Sequence, residues 1–154
     1  MRLTTFTDYA LRTLLFVATA PERRATIAAI AAAYGISQNH LVKVAHLLGK
    51  EGFLANTRGR HGGLRLAVAP AAISLGRVVR ATEGPSVPAE CFDPAGCDCP
   101  IVHSCRLKRV LRDADAAFYA TLDRYSLQDL LASPARMSSI LHQTRIVNTG
   151  DCLQ

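Results

Sequence analysis

The chain has 154 residues, of which 49% are hydrophobic, so it is long enough to bury an apolar core without disulfides. Its first residues are followed by polar positions, and Asp8 and Arg12 interrupt the first apolar stretch. We therefore expect neither a secretory leader nor a membrane-spanning segment, but a cytoplasmic protein that makes no membrane contact.

Positive charge is concentrated in the first part of the chain. The formal net charge is +6 at pH 7. Residues 1–90 carry eleven Lys and Arg against five Asp and Glu, whereas residues 91–154 carry seven of each kind. Because phosphate neutralisation and counterion release need clustered cations, a polyanion is expected to bind to the first part.

Three helices are predicted in this basic part. The first runs from Thr5 to Ala20 and ends before a proline, because apolar residues recur three and four apart at Phe6, Ala10, Leu11, Leu14, Leu15 and Ala18. An Ala-rich helix over 26–33 is followed by a turn that contains glycine. Ser37 is placed to cap a third helix from Gln38 to about Gly52. A short helix, a glycine turn and a second helix are typical of a helix-turn-helix.

The third helix is expected to turn its polar side toward DNA. Its buried side is predicted to consist of Leu41, Val44, Ala45 and Leu48. Such motifs insert the N-terminal end of this helix into the major groove. Asn and Gln pair with adenine through two hydrogen bonds, and Lys reaches guanine or phosphate. The expected DNA contacts are therefore Ser37, Gln38, Asn39, His40 and Lys43.

Two short strand-like segments follow, around a tip rich in glycine and arginine, and predict a β-hairpin wing. Such a tip suits phosphate or minor-groove contact, which needs charge and reach more than a fixed partner. The expected contacts are Arg58, Arg60, His61 and Arg65. Each element alone is also typical of a solvated turn or a core helix. Their order and the local charge together predict a winged helix-turn-helix DNA-binding domain over residues 1–83.

A second, helical part is predicted after the wing. Residues 70 to about 83 form another helix, and residues 84–104, rich in Pro, Gly and Cys, form an irregular loop. A long helix follows from residue 105, with a one-sided apolar stripe at Leu107, Val110, Leu111, Ala114, Ala117, Phe118, Thr121 and Leu122. Because a DNA-binding protein usually covers such a stripe with a second copy, this helix is predicted to form a homodimer interface, and a short helix over 126–131 completes the part over residues 105–132. Residues 133–154 are expected to be a flexible tail that carries Cys152 as a free thiol.

Four cysteines lie within fifteen residues, at Cys91, Cys97, Cys99 and Cys105. Thiols at this density inside a reducing cell more often hold a metal than form disulfides. His103 lies among them, although a histidine there is more often exposed or a hydrogen-bond donor to a ligand. A zinc-stabilised DNA-binding module stays open as an alternative, but zinc sites usually pair cysteines two to four residues apart. No grouping typical of nucleophilic catalysis stands out in the sequence, so we expect no enzyme.

Four separate motifs point to a known family. They are the start Met-Arg-Leu-Thr-Thr-Phe-Thr-Asp-Tyr, the segment Ile-Ser-Gln-Asn-His-Leu-Val-Lys, the wing Arg-Gly-Arg-His-Gly-Gly-Leu-Arg-Leu and the segment Cys-Pro-Ile-Val-His-Ser-Cys-Arg-Leu-Lys. Together, over about residues 1–132, they resemble the NsrR-type family of nitric-oxide-sensing iron-sulfur repressors. The resemblance implies a homodimer that binds double-stranded operator DNA and a 4Fe-4S cluster. It also implies that nitric oxide attacks the cluster, which releases the operator and allows expression of nitric oxide detoxification genes.

The same resemblance implies the cluster ligands. Three loop cysteines and an N-terminal aspartate of the partner subunit hold the cluster in that family, and the aspartate here is Asp8. Its alternative role is that of a capping or surface carboxylate. The cysteines that match the family pattern best are Cys91, Cys99 and Cys105. Cys97 in place of Cys99, or all four thiolates together, stays open.

A related family suggests a second cofactor. The IscR-type regulators of iron-sulfur biogenesis resemble this chain and hold a 2Fe-2S cluster, using a histidine three residues after the last cysteine. This chain has Lys108 at that position. The departure favours the 4Fe-4S cluster, and the 2Fe-2S cluster remains the alternative.

Overall fold

A computed structural model of the chain describes residues 2–21, 24–57, 62–85, 87–93 and 95–142. Within these ranges it contains six α-helices and one antiparallel pair of strands. In chain order they are α1 (Thr5–Thr19), α2 (Ile27–Tyr34), α3 (Gln38–Lys50), β1 (Leu54–Thr57), β2 (Gly63–Leu66), α4 (Leu75–Glu83), α5 (Arg106–Asp123) and α6 (Pro134–His142). This confirms the predicted fold class, mainly α with a hairpin wing. None of the helices in the described ranges has the length and apolar character needed to cross a bilayer.

Local capping explains where the first helices begin and end. Thr4 precedes α1 and its hydroxyl accepts a hydrogen bond from the Thr7 N–H at 3.3 Å. α2 ends at Gly35, whose φ of +65° lies in the left-handed region that glycine adopts without steric cost. Ser37 is the N-cap residue of α3, as predicted, but its side chain makes no capping hydrogen bond. Its carbonyl oxygen accepts the first hydrogen bonds of the helix, from the His40 and Leu41 N–H groups at 3.1 and 3.2 Å.

An apolar core lies between the helix-turn-helix, α4 and the base of the hairpin. α1 packs against α3, α4, α6 and β2. The largest fully buried side chains of this core are Leu14, Ile30, Leu41, Leu48, Ile73 and Leu127. Each such side chain contributes about 1.5–3 kcal/mol relative to an exposed one. The core therefore fixes which side of α3 remains at the surface.

The hairpin is anchored to the segment before α2. β1 and β2 pair with Leu54 opposite Leu66 and Asn56 opposite Leu64. Leu64 also exchanges two backbone hydrogen bonds with Ala25, at 2.7 and 3.0 Å. A Cβ at position 63 would lie 2.8 Å from the Ala25 carbonyl oxygen, so this approach requires glycine.

The hairpin tip lies outside the described residues. Residues 58–61 belong to it, so the predicted contacts of Arg58, Arg60 and His61 remain predictions.

Two segments differ from the expectation. The helix expected from residue 70 begins at Leu75, because Pro70–Ala72 forms a separate 3-10 turn. Part of the tail expected to be flexible from residue 133 forms α6, which packs on α1. The His142 ring lies 4.2 Å from the Phe16 ring and its Nε2 lies 3.1 Å from the Thr19 hydroxyl. Residues 143–154, with Cys152, lie outside the described part.

Candidate DNA interface and cysteine loop

α3 turns one side away from the core. Leu41, Val44 and Leu48 are buried, as predicted, and Ala45 is half-buried. The opposite side, which we call the outward face, is exposed and consists of Asn39, Val42, Lys43, His46 and Lys50. These residues follow one another at the spacing that places side chains on one side of a helix.

The outward face extends further along α3 than expected. Asn39 and Lys43 were predicted DNA contacts, whereas Val42, His46 and Lys50 were not predicted to lie on the same face. Only the N-terminal end of the helix was expected to face DNA. The three- and four-residue spacing that begins at Asn39 contained the signal for the rest.

The other predicted contacts on α3 lie beside the outward face. Ser37 and Gln38 are exposed at the start of the helix. His40 is exposed too, but its ring lies 6.2 Å from the ring of Tyr9 on α1. The structure therefore brings Asn39 and Lys43 together on one face and places His40 toward α1.

A groove of about 650 Å³ separates α3 from the hairpin. Its polar lining comes from His46 and Lys50 on α3 and Asn56 on β1. Arg65, a predicted DNA contact on β2, is exposed but lines a different cleft of about 820 Å³ with residues of α1. The structure therefore separates Arg65 from the outward face, whereas His46 and Lys50 of that face line the groove together with Asn56 and apolar residues.

The cysteine loop, residues 84–104, joins α4 to α5, and Cys105 at its end precedes α5. The thiols of Cys91, Cys97, Cys99 and Cys105 are all free. Cys105 caps α5, since its Sγ accepts the Lys108 N–H at 3.5 Å, and the Cys97 Sγ accepts the Cys99 N–H at 3.4 Å.

The donor set of this loop fits an iron-sulfur group. Thiolates are the usual ligands of such clusters, and Cys99 is exposed while Cys91 and Cys105 are half-buried. Across the described part of one chain, no three His, Cys, Asp or Glu side chains converge as a metal site. Binding would therefore require rearrangement of the loop or groups from a second chain.

Asp8 lies in the first turn of α1 as a surface carboxylate. It forms an ion pair with Arg12, with oxygen-to-nitrogen distances of 2.8 and 2.9 Å, and its side chain is 44% exposed. Thr4 occupies the capping position of α1, so Asp8 does not cap the helix. Exposed ion pairs one helical turn apart contribute little stability, which leaves this carboxylate available to another partner.

Glu83 holds the start of the cysteine loop against the start of α1. Its carboxylate accepts hydrogen bonds from the Thr4 N–H at 2.8 Å, from the Thr4 hydroxyl at 3.0 Å and from the Thr7 hydroxyl. Desolvation raises the pKa of Glu83, but these hydrogen bonds outweigh it and bring the pKa below its ordinary value. Asp8 and the entry to the cysteine loop therefore lie at the same end of the molecule.

Helix α5 leaves an apolar line exposed. Leu107 is 64% and Val110 is 59% exposed, and no residue of α5 is buried within the chain. The line continues through Ala114, Ala117 and Thr121, all exposed. The other predicted members of the stripe, Leu111, Phe118 and Leu122, are half-buried.

The helix-turn-helix, the hairpin and the polar outward face of α3 define a DNA-binding regulator of the winged-helix class. A family model described as Rrf2, iron-dependent transcriptional regulator, matches residues 3–133. The chain belongs to the Rrf2 family of transcriptional regulators.

Named relatives and solved structures agree with this family. A regulator named NsrR from Geobacillus kaustophilus is 46% identical over 146 residues, which cover 94% of this chain and 99% of the relative. A regulator of the same name from Bacillus subtilis is 44% identical, and the match covers 92% of this chain and 97% of the relative. The structure of CymR, the global cysteine regulator of B. subtilis, has a TM-score of 0.65 at 27% identity and covers 84% of this chain and 95% of its own. These names confirm the expectation of a transcriptional regulator rather than an enzyme.

Proposed function

We propose that the chain is a homodimeric repressor that binds operator DNA and senses nitric oxide through a 4Fe-4S cluster, so that genes for nitric oxide detoxification are expressed when nitric oxide is present. The single observation that carries this proposal is the four-thiol loop between the DNA-binding part and the exposed line of α5. The similarity to regulators named NsrR supports nitric oxide as the signal. A cytoplasmic location is part of the same proposal.

The DNA contacts in this proposal are those of α3 and the hairpin. Asn39 and Gln38 pair with adenine, and Lys43 contacts guanine or phosphate. Phosphate or minor-groove contacts come from the cationic and polar side chains of Ser37, His40, Arg58, Arg60, His61 and Arg65. The excess of positive charge in residues 1–90 supports DNA binding by this part of the chain.

The proposed cluster ligands are three cysteines and a carboxylate from the other subunit. They are Cys91, Cys99, Cys105 and the partner subunit's Asp8. When bound, a 4Fe-4S cluster supplies iron centres that nitric oxide attacks. A carboxylate is a harder and weaker ligand than a thiolate, so this position is the labile one. Asp8 must give up its ion pair with Arg12 to serve there, and that exchange costs little because both side chains are about half exposed.

Two contacts connect the loop to the DNA-binding part. At the loop entry, Glu83 bonds to α1 through Thr4 and Thr7. Beyond the loop, Asp123 of α5 binds Arg80 of α4 through two contacts of 2.6 Å. A change in the loop would therefore displace α1 and α5 relative to each other and alter the spacing of the two α3 helices in a dimer. A tenfold change in DNA affinity requires only about 1.4 kcal/mol of such coupling.

Lys108 favours the 4Fe-4S form over an IscR-like 2Fe-2S regulator of iron-sulfur biogenesis. Its ammonium group lies 5.8 Å from the centre of the Phe92 ring, so the side chain extends over the loop beside Cys91. An ammonium group has three donors and no acceptor, so it cannot replace the histidine ligand of the IscR type. The cation instead balances negative charge from thiolates.

Anaerobic purification followed by iron and sulfide analysis, visible absorption and operator binding tests this proposal. We expect Cys91→Ala, Cys99→Ala and Cys105→Ala to lose the cluster absorption, whereas Cys97→Ala, the matched control, keeps it. Asp8→Ala should retain iron but change its response to nitric oxide. Nitric oxide should release DNA from the unaltered protein.

Three results would contradict the parts of this proposal separately. A colourless protein with bound zinc would replace the sensor by a zinc-stabilised DNA-binding module. A cluster with two irons per subunit would support the 2Fe-2S alternative. Loss of the cluster in Cys97→Ala alone would reassign the ligands.

A further inference from the structure

An apolar side chain interrupts the polar outward face of α3. Val42 is 51% exposed, although Leu41, Val44 and Leu48 already supply the buried side of the helix. Its neighbours on the face are Asn39, one turn before it, and His46, one turn after it. A hydrocarbon surface therefore lies in the middle of groups that hydrogen-bond.

Helix stability does not account for a valine at this position. A branched Cβ restricts the side chain in a helix and lowers helix propensity, and propensity matters most where packing is absent. Single exposed apolar residues are common on protein surfaces. This one, however, occupies the face that is directed into the major groove under the proposed function.

The residues around Val42 favour duplex DNA as the partner of the outward face. Lys43 and Lys50 bring positive charge to the outward face, and His46, Lys50 and Asn56 line the adjoining groove of about 650 Å³. Charge of this sign fits the phosphate backbone of duplex DNA. At the edges of the bases, the major groove offers an apolar group in the form of the thymine C5 methyl.

We propose that Val42 contacts the C5 methyl group of a thymine and thereby determines one base of the operator half-site. This inference rests on the proposed DNA binding and adds a base preference to it. Asn39 and His46 then contact the base pairs on either side, while Lys43 and Lys50 hold the flanking phosphates.

The test changes the DNA first and the protein second. Duplexes are selected from a random-sequence library by the complete, anaerobically prepared protein, and each thymine is replaced singly by deoxyuridine, which lacks only the methyl group. Because burying one methyl-sized group is worth close to one CH₂, we expect one thymine in each half-site to weaken binding by about fourfold when replaced. Other thymines should tolerate the exchange.

The protein arm uses Val42→Ala and a matched control. Val42→Ala should bind the thymine duplex about as weakly as the unaltered protein binds the deoxyuridine duplex, and should no longer distinguish the two. Val68→Ala removes a valine that is 43% exposed outside α3, and should behave like the unaltered protein. Both variants are expected to fold because neither valine is buried.

The outcomes separate this inference from the function on which it rests. If no duplex is enriched, the proposed DNA binding fails and this inference fails with it. If duplexes are enriched but no thymine is sensitive, or if Val42→Ala keeps the sensitivity, only the thymine contact is overturned.

Discussion

Thr13 carries a hydroxyl group that α1 buries without a partner. The residue is 1% exposed, and its Oγ1 makes no hydrogen bond within the described part of the chain. The other buried threonines of α1 are satisfied, since Thr7 donates to Glu83 and Thr19 donates to the Leu15 carbonyl oxygen at 2.9 Å. Burying a polar group lowers the free energy of unfolding when no hydrogen bond within the protein replaces its hydrogen bonds to water. Of these three threonines, Thr13 is therefore the one whose buried hydroxyl destabilises the fold.

Thr13→Val should therefore stabilise the protein. Valine has nearly the same shape, and it removes the unsatisfied hydroxyl, so we expect the free energy of unfolding to rise by about 1 kcal/mol. Denaturant unfolding measures this change. Thr19→Val is the matched control, because it removes a hydroxyl that is bonded and should lower the free energy of unfolding by about 1 kcal/mol. Equal effects at the two positions would disprove the distinction.

Single residues also show what a sequence pattern can predict. On α3 the predicted buried residues Leu41, Val44 and Leu48 are buried, because only one side of this helix is covered. On α1 the apolar pattern omitted five buried residues, Thr7, Thr13, Phe16, Val17 and Thr19. Several elements surround α1, so more than one side of this helix is covered. In addition, a hydrophobicity pattern counts threonine as polar even where its hydroxyl is hydrogen-bonded inside the protein.

The joint between α4 and α5 depends on a close approach at Gly76. A Cβ at this position would collide with Asp123 Oδ1. That carboxylate is also the partner of Arg80, whose guanidinium lies 4.6 Å from the centre of the Tyr119 ring. The hydrogen bonds from Arg80 lower the pKa of Asp123 below its ordinary value. Any residue larger than glycine would push Asp123 away from Arg80.

The effects of Gly76→Ala and Asp123→Ala on the free energy of unfolding should therefore not be additive. Alanine is favoured over glycine in a helix by up to about 1 kcal/mol. With Asp123→Ala the added methyl group no longer meets the carboxylate, and the flexible Arg80 guanidinium, 3.0 Å away, can move aside. We expect the full gain in the free energy of unfolding in that background, and a clearly smaller gain beside the native Asp123. A double-mutant cycle by denaturant unfolding measures the difference.

Gly49→Ala on α3 provides the control for this cycle. Its added Cβ would meet only the Leu54 carbonyl oxygen at 3.8 Å, an ordinary contact. Its gain should be the same with or without Asp123→Ala. Additive effects of Gly76→Ala in the two backgrounds would show that the close approach does not matter.

Whole elements were predictable where their signals are local. The helix-turn-helix and the hairpin follow from periodicity and glycine positions. α6 was missed because its position depends on a contact between His142 and Thr19, which are 123 residues apart. The short 3-10 turn before α4 was missed because Pro70 fits equally well in a first helical turn.

At the scale of the molecule, the proposed sensor site would need groups from two chains. The sequence located the four loop cysteines, and the structure places them in one connecting segment. Under the proposed function, which three act together depends on their approach to the partner subunit's Asp8, and no pattern within a single sequence encodes an approach between two copies. Substitutions on the exposed apolar line of α5 can test whether two chains assemble in this way.

Val110→Glu should convert a dimer into a monomer without unfolding the chain. Val110 is 59% exposed, so a charge there costs little within one chain, but it would be buried without a partner against a second α5. Sedimentation equilibrium should report half the mass of the unaltered protein, while helical circular dichroism is unchanged. Operator affinity should fall, because a monomer reaches only one half-site.

Ala116→Glu is the matched control for this interface. Ala116 is exposed on the opposite side of α5, and the substitution adds the same charge to the same helix. It should leave both the mass and the operator affinity unchanged, since a surface charge away from the interface meets only solvent. If the two variants have the same mass, the line of Leu107, Val110, Ala114 and Ala117 is not the dimer contact. A second copy would then have to cover another surface, and the partner subunit's Asp8 could no longer be argued to reach the cysteine loop by way of α5.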